Sequence, residues 1–135
     1  MPSYSKVANG TITPSTFVKL DTTADGKVIQ CTGSDTPYGI SQPGTRQPPY
    51  SGLDDGNAAL IGETLMIYGP PMKDVLLQLG AASGAVTSGI RLKPDSSGLG
   101  IPTSADGDIF GAISDGSGNA GDLIPVIVVY GQAAA

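Results

Sequence analysis

Ala24-Asp25-Gly26-Lys27, followed by Pro37-Tyr38-Gly39-Ile40, returns later in the chain as Ala105-Asp106-Gly107-Asp108 running directly into Ile109-Phe110-Gly111-Ala112-Ile113. One constant shift places Val18 on Ile90, Leu20 on Leu92, Ile29 on Ile101, Tyr38 on Phe110 and Gly39 on Gly111. Farther on, Ile61-Gly62-Glu63-Thr64-Leu65-Met66-Ile67-Tyr68-Gly69 answers the stretch from Ala120 to Gly131, so each half ends on an apolar strand followed by Tyr-Gly. A repeat of this kind fixes architecture before any motif is read. Two similar half-chains of strand and turn predict an all-β, small single-domain barrel or sandwich with two pseudo-repeated halves, spanning about 11–69 and 78–131.

The totals agree with that scale. A chain of 135 residues fits one domain with roughly 6,500 Å² of folded surface. With Gly 20, Pro 11, 39% apolar and only 14% charged residues, it is too apolar for disorder and too rich in breakers for long helices. Its net charge of -5 supplies no attraction to phosphate backbones, which argues against nucleic acid as a partner. No window approaches a membrane span and no signal peptide follows Met1, which predicts a soluble product of a reducing compartment. Cys31 is the single cysteine and, beside Ile29, reads as a packing residue, not a reactive thiol.

Along the chain, residues 1–10 carry little apolar pattern and read as an N-terminal arm, either loose or ordered by a partner, with Tyr4 as its anchor. The strand containing Val18 and Leu20 is matched by Ile90-Arg91-Leu92-Lys93, two residues shorter at the preceding turn, where Gly89 admits a dihedral that a side chain resists. Asp25-Gly26 marks a hairpin, and glycine in Tyr38-Gly39-Ile40 and Phe110-Gly111-Ala112 marks a bulge or a close backbone crossing. After Ser41 the halves diverge. The Pro-rich stretch 42–52 is semi-rigid and poor in donors, and reads either as a long surface loop or as a contact loop in which Arg46 and Tyr50 touch a partner. Residues 72–79 admit a short helix, but the alternation of Val75, Leu77 and Leu79 favours a strand. The apolar run Leu123 to Tyr130 must be covered on both faces or pressed against another subunit.

The sequence offers little chemistry. With no histidine it lacks the usual general base, the common metal ligand and a Ser-His-Asp triad, and Asp25, Asp55, Asp106 and Asp115 all stand beside glycine, where aspartate supports turns. Asp115-Gly116-Ser117-Gly118-Asn119-Ala120-Gly121-Asp122 spaces oxygen ligands as a calcium loop would, yet lacks the closing bidentate glutamate, so turn chemistry accounts for it. No catalytic residue, metal site or cofactor is assigned.

Ala85-Val86-Thr87-Ser88-Gly89, an apolar strand containing Leu92, Ala105-Asp106-Gly107, Phe110-Gly111 and a terminal apolar strand together resemble the small phage head decoration, or capsid cement, proteins. The likeness spans about 6–131 and rests on glycine placement and repeat order, not on a signature site. It implies a compact β-barrel or β-tulip-like protein, commonly trimeric, made in the host cytoplasm and seated on the outer surface of the virion capsid, where it stabilises the expanded shell. The implied partners are the major capsid protein and further copies of the chain, with no membrane and no nucleic acid. Tyr4, Arg46 and Tyr50 are then the candidate capsid contacts, although the Pro-rich insertion after Ser41 matches no general pattern of the family. The alternative is a surface or fibre-associated β-domain that binds a receptor or glycan, for which an aromatic content of 5% offers little platform.

Overall fold

The computed structural model describes residues 3–23, 25–32, 37–42, 58–69, 72–81, 83–103 and 109–132. Ten strands follow one another in these segments. The first five are β1 (Ser3–Ala8), β2 (Phe17–Leu20), β3 (Lys27–Gln30), β4 (Gly39–Ser41) and β5 (Thr64–Tyr68). They close into a barrel in the order β1-β3-β2-β4-β5, with β5 returning antiparallel onto β1 through pairs from Ser3↔Tyr68 to Val7↔Thr64. The second five are β6 (Val75–Gln78), β7 (Arg91–Pro94), β8 (Gly100–Pro102), β9 (Ile109–Ser114) and β10 (Leu123–Gln132), in the order β6-β10-β9-β7-β8. Read from β6, that is the order of the closed first barrel read from β1 in the opposite direction. The second five form a sheet whose ends meet only at the single parallel bridge Leu79↔Gly100, the counterpart of Ala8↔Val28 between β1 and β3, and on that correspondence we call it the second barrel. The chain is a β-fold written twice.

Local chemistry repeats with the topology. Thr16 N donates to Ser41 Oγ (3.1 Å), whose hydroxyl donates to Thr13 O (2.8 Å); Ile90 N donates to Ser114 Oγ (2.9 Å), whose hydroxyl donates to Thr87 O (2.5 Å). Each buried serine thus satisfies two backbone groups where the chain turns into a strand, as buried polar groups require. The bridges Ile12↔Ala59 and Val86↔Gly118 precede matching turns, in which Leu60 N donates to the Glu63 carboxylate (3.0 Å) and Asn119 N to that of Asp122 (2.8 Å). Gly62 (φ 87) and Gly121 (φ 88) supply the left-handed residue of those turns.

The true correspondence differs in detail from a constant shift. Val18 pairs with Gln30 and Gly39, as Leu92 pairs with Pro102 and Ala112, so Val18 answers Leu92, not Ile90, and Gly39 answers Ala112, not Gly111. The two-residue shortening lies after the strand, in the hairpin: Asp21 N bonds Lys27 O, whereas Asp95 N bonds Leu99 O. The Tyr-Gly endings are not equivalent either. Ile40 faces Tyr68 as Ile113 faces Ile127, and β10 runs on past that point through an irregularity between Val128 and Gly131. The arm expected over residues 1–10 is corrected as well, because residues 3–8 form β1 and close the first barrel. Its polar alternation belongs to a strand with one wet face. Residues 75–78 are the expected strand, and Cys31 is buried and free.

Two side-chain clusters fill the body. Ala8, Ile12, Val18, Val28, Ala58, Ala59, Leu65 and Ile67 occupy the first barrel. The larger cluster joins Val75, Leu77, Leu79, Val86, Leu92, Ala112, Ile124, Val126 and Val128 of the second half to Phe17, Cys31 and Ile40 of the first. Those three residues cement one barrel to the other. Phe17 N donates to Gly98 O (2.8 Å), Gln78 N to Ser15 O (2.9 Å) and Gln30 Nε2 to Ser97 O (2.5 Å) across the same seam. Gly98 and Gly111 make the approach possible: a Cβ on Gly98 would stand 3.1 Å from Phe17 O, and one on Gly111 2.5 Å from the Pro37 ring.

Deleting residues 2–10 is expected to abolish the cooperative thermal transition seen by circular dichroism, because β5 and β3 each lose one of their two partners and the first barrel opens. A second expectation concerns Ser15, which holds φ 56 where its counterpart Gly89 holds φ 88, and whose buried hydroxyl has no hydrogen-bond partner. Ser15→Gly should raise stability by about 1 kcal/mol in denaturant titration, as relief of strain and of an orphan hydroxyl exceeds the entropy of the added glycine.

Candidate interaction surface

No group of three or more histidine, cysteine, aspartate or glutamate side chains among the described residues is placed to hold a metal ion. Asp122, the last acid of the calcium-like stretch, is engaged by Asn119 N, as the turn reading requires. What the second half does offer is an apolar outer face. Along β10, Ile124, Val126 and Val128 point into the core, leaving Leu123, Pro125, Ile127 and Val129 on the other side of the strand. In the sheet, Pro125 faces Leu76, while Ile127 faces Ile113 and Ile113 faces Arg91. Leu123 is 53% exposed, and Leu76 and Ile109 are exposed as well. The terminal strand is therefore covered on one face only.

Toward the β7–β8 edge of that sheet an open groove of about 520 Å³ is lined by Gly89, Ile90, Arg91, Pro102, Thr103 and Ile113. The Arg91 guanidinium lies over the Phe110 ring, 5.4 Å from its centroid, within the range of a cation–π contact. That ring also covers Gly131, where a Cβ would come within 2.6 Å of it. Arg91 is thus held at the rim of the groove by a well-buried aromatic, with its charge still exposed.

Of the residues expected to touch a shell, Tyr4 lies in β1 with its backbone opposite Ile67, and its side chain is outside the described part. Arg46 and Tyr50 lie outside the described residues altogether. Val126 and Val128 of the terminal apolar run, and Leu65 and Ile67 of β5, are core residues. Sequence reasoning missed the groove. Its one visible signal was Arg91 inside an otherwise apolar repeat position.

Elsewhere on the surface, the Asp21 carboxylate is held down to about 2 from an ordinary 3.8, first by the Asn9 amide and then by the Thr23 backbone N–H and hydroxyl, with Lys19 nearby. The Asn9 amide donates to Asp21 Oδ2 at 2.5 Å, tying the end of β1 to the β2–β3 hairpin.

No protein-family profile and no curated protein matches the chain. Among solved structures it is similar to the crystal structure of the head fiber gp8.5 N base of bacteriophage phi29, with 12% identity over 94% of this chain and 92% of that one, at a TM-score of 0.62. That likeness establishes a shared fold across nearly the whole of both chains. The likeness is one of fold, and this structure is a head fiber base and not a decoration protein, the family the sequence resembles.

Because the pKa of Asp21 is depressed in the fold, its contribution to stability is present above its ordinary value and is lost as pH falls from 3.8 toward 2. In an NMR titration its carboxyl should show a midpoint near 2, and Asn9→Ala should move that midpoint back toward 3.8.

Proposed function

We propose that this chain is a structural virion protein that seats on the outer surface of a phage head, contacts the major capsid protein and stabilises the expanded shell. The observation that carries the reading is the fold correspondence, almost end to end, with a protein described as the base of a phage head fiber. The residues support a role without bond-making: the sequence has no histidine, and its charged fraction is 14%. Stabilisation then comes from contact area that exists only on the assembled lattice and grows with free protein by mass action. A standard contact buries about 800 Å² on each partner, and the chain exposes 6615 Å². One such contact with a shell leaves ample surface for copies of the chain to meet each other. Three copies joined as a trimer would bind more tightly than one, because each seated foot raises the effective concentration of the next.

The name of the matching structure favours one second reading, in which the chain is the foot of a longer surface fibre whose distal part meets a receptor or glycan. In both readings the body attaches to a head; they differ in whether the shell needs it.

Purified chain should co-sediment with expanded heads and raise the temperature at which they release their contents. Binding with an unchanged release temperature would favour the fibre-base reading. No binding to any assembled head, expanded or not, would remove both.

A further inference from the structure

Aligning the two halves assigns a role to the groove on the second barrel. Its lining residues Gly89, Ile90, Arg91, Pro102, Thr103 and Ile113 are the counterparts of Ser15, Thr16, Phe17, Gln30, Cys31 and Ile40. In the first barrel those positions form the seat on which the second barrel rests. Phe17, Cys31 and Ile40 enter the shared core, Ser15 O accepts from Gln78 N, and the Ser97-Gly98 turn sits over Phe17 and Gln30. The same seat on the second barrel is open.

The element that fills the first seat also has a counterpart. Ser97-Gly98 lies in the β7–β8 hairpin, with Gly98 at φ 79; in the β2–β3 hairpin Asp25-Gly26 takes its place, with Gly26 at φ 72 and both residues exposed. Asp21 and Asp95 open the two hairpins alike, each accepting the backbone N–H two residues on. The differences between occupied and open pairs are complementary. Where the occupied seat has Phe17, the open one has Arg91; where the seated turn has Ser97, the free turn has Asp25. A cation stands at the vacant seat and a carboxylate at the unused plug.

We infer that the open groove receives a second copy of this chain, whose Asp25-Gly26 hairpin docks beside Arg91 and repeats between molecules the contact that joins the two barrels within one. The contact is heterologous, with groove on one copy and hairpin on the next, so it closes into a ring or continues as a filament. The β2–β3 hairpin is longer than β7–β8 by two residues, and Pro102 cannot donate as Gln30 does, so the intermolecular contact relies on the ion pair where the internal one relies on Phe17.

This inference names the surface behind the self-association invoked above, but its test needs no capsid, so either can fail alone. Sedimentation velocity of the full chain, from micromolar to millimolar, should show concentration-dependent association. Arg91→Glu and Asp25→Lys should each weaken it roughly tenfold or more through like-charge juxtaposition. The two substitutions combined in one chain should restore it, because the groove carboxylate then opposes the hairpin ammonium in every contact. Both sites are exposed, and unchanged circular dichroism checks that the variants fold. A wild-type chain that stays monomeric throughout, or association that neither charge reversal alters, would overturn the inference, as would failure of the reversed pair to restore it.

Discussion

The burial of Phe17, Cys31 and Ile40 is the interaction on which the rest of the molecule depends. All three lie outside the first barrel's own cluster, and their burial is complete only because the second barrel covers them. Fully burying a large apolar side chain contributes about 1.5–3 kcal/mol, so the three together approach the lower end of the roughly 5–15 kcal/mol by which whole domains are stable. Among the described residues, three of the eight in the first barrel's core cluster are alanines, a thin filling for a closed sheet. Neither half is a domain in its own right. What looks like two barrels is one cooperative body, with its larger core at and beyond the seam.

Repetition explains why so different a pair of sequences holds one geometry. The serine clamps at Ser41 and Ser114, the turns at Gly62 and Gly121 and the bridges at Ile12 and Val86 are backbone devices that tolerate little substitution. Side chains facing outward are free of that constraint and differ between the halves: Phe17 against Arg91, Cys31 against Thr103. Ser15 differs in another way, holding the left-handed backbone of its counterpart Gly89 with a side chain attached. Its strained backbone offers the carbonyl that Gln78 N reaches across the seam.

The all-β class, the two halves and the strand over Val75–Gln78 were legible because alternation and turn glycines are local signals. Register was not. A single shift cannot follow a hairpin shortened by two residues, an irregularity in β10 and a long insertion in one half, and it slid Val18 onto Ile90. The N-terminal strand was read as an arm because Ser3, Ser5 and Lys6 give no apolar face; what makes it a strand is the vacancy between β3 and β5, a tertiary fact. The groove was invisible for a related reason. No residue in it is unusual alone, and its meaning appears only when each lining position is set against its buried counterpart.

That comparison also says why the open seat differs chemically from the occupied one. Within a chain the partner barrel is tethered, its effective concentration is high, and a bare phenylalanine is buried as soon as the body folds. Between chains the same phenylalanine would face water until a partner arrived, adding to the apolar surface already exposed along β6 and β10 and inviting disordered association. An arginine at that position, steadied by the Phe110 ring, presents a hydrated charge instead, and the inferred contact would then require a carboxylate in one place. Charge complementarity raises encounter rates and rejects wrong registers more than it adds affinity. A seat meant to be filled by another molecule therefore favours a charged rim, and one filled by the same molecule an apolar plug.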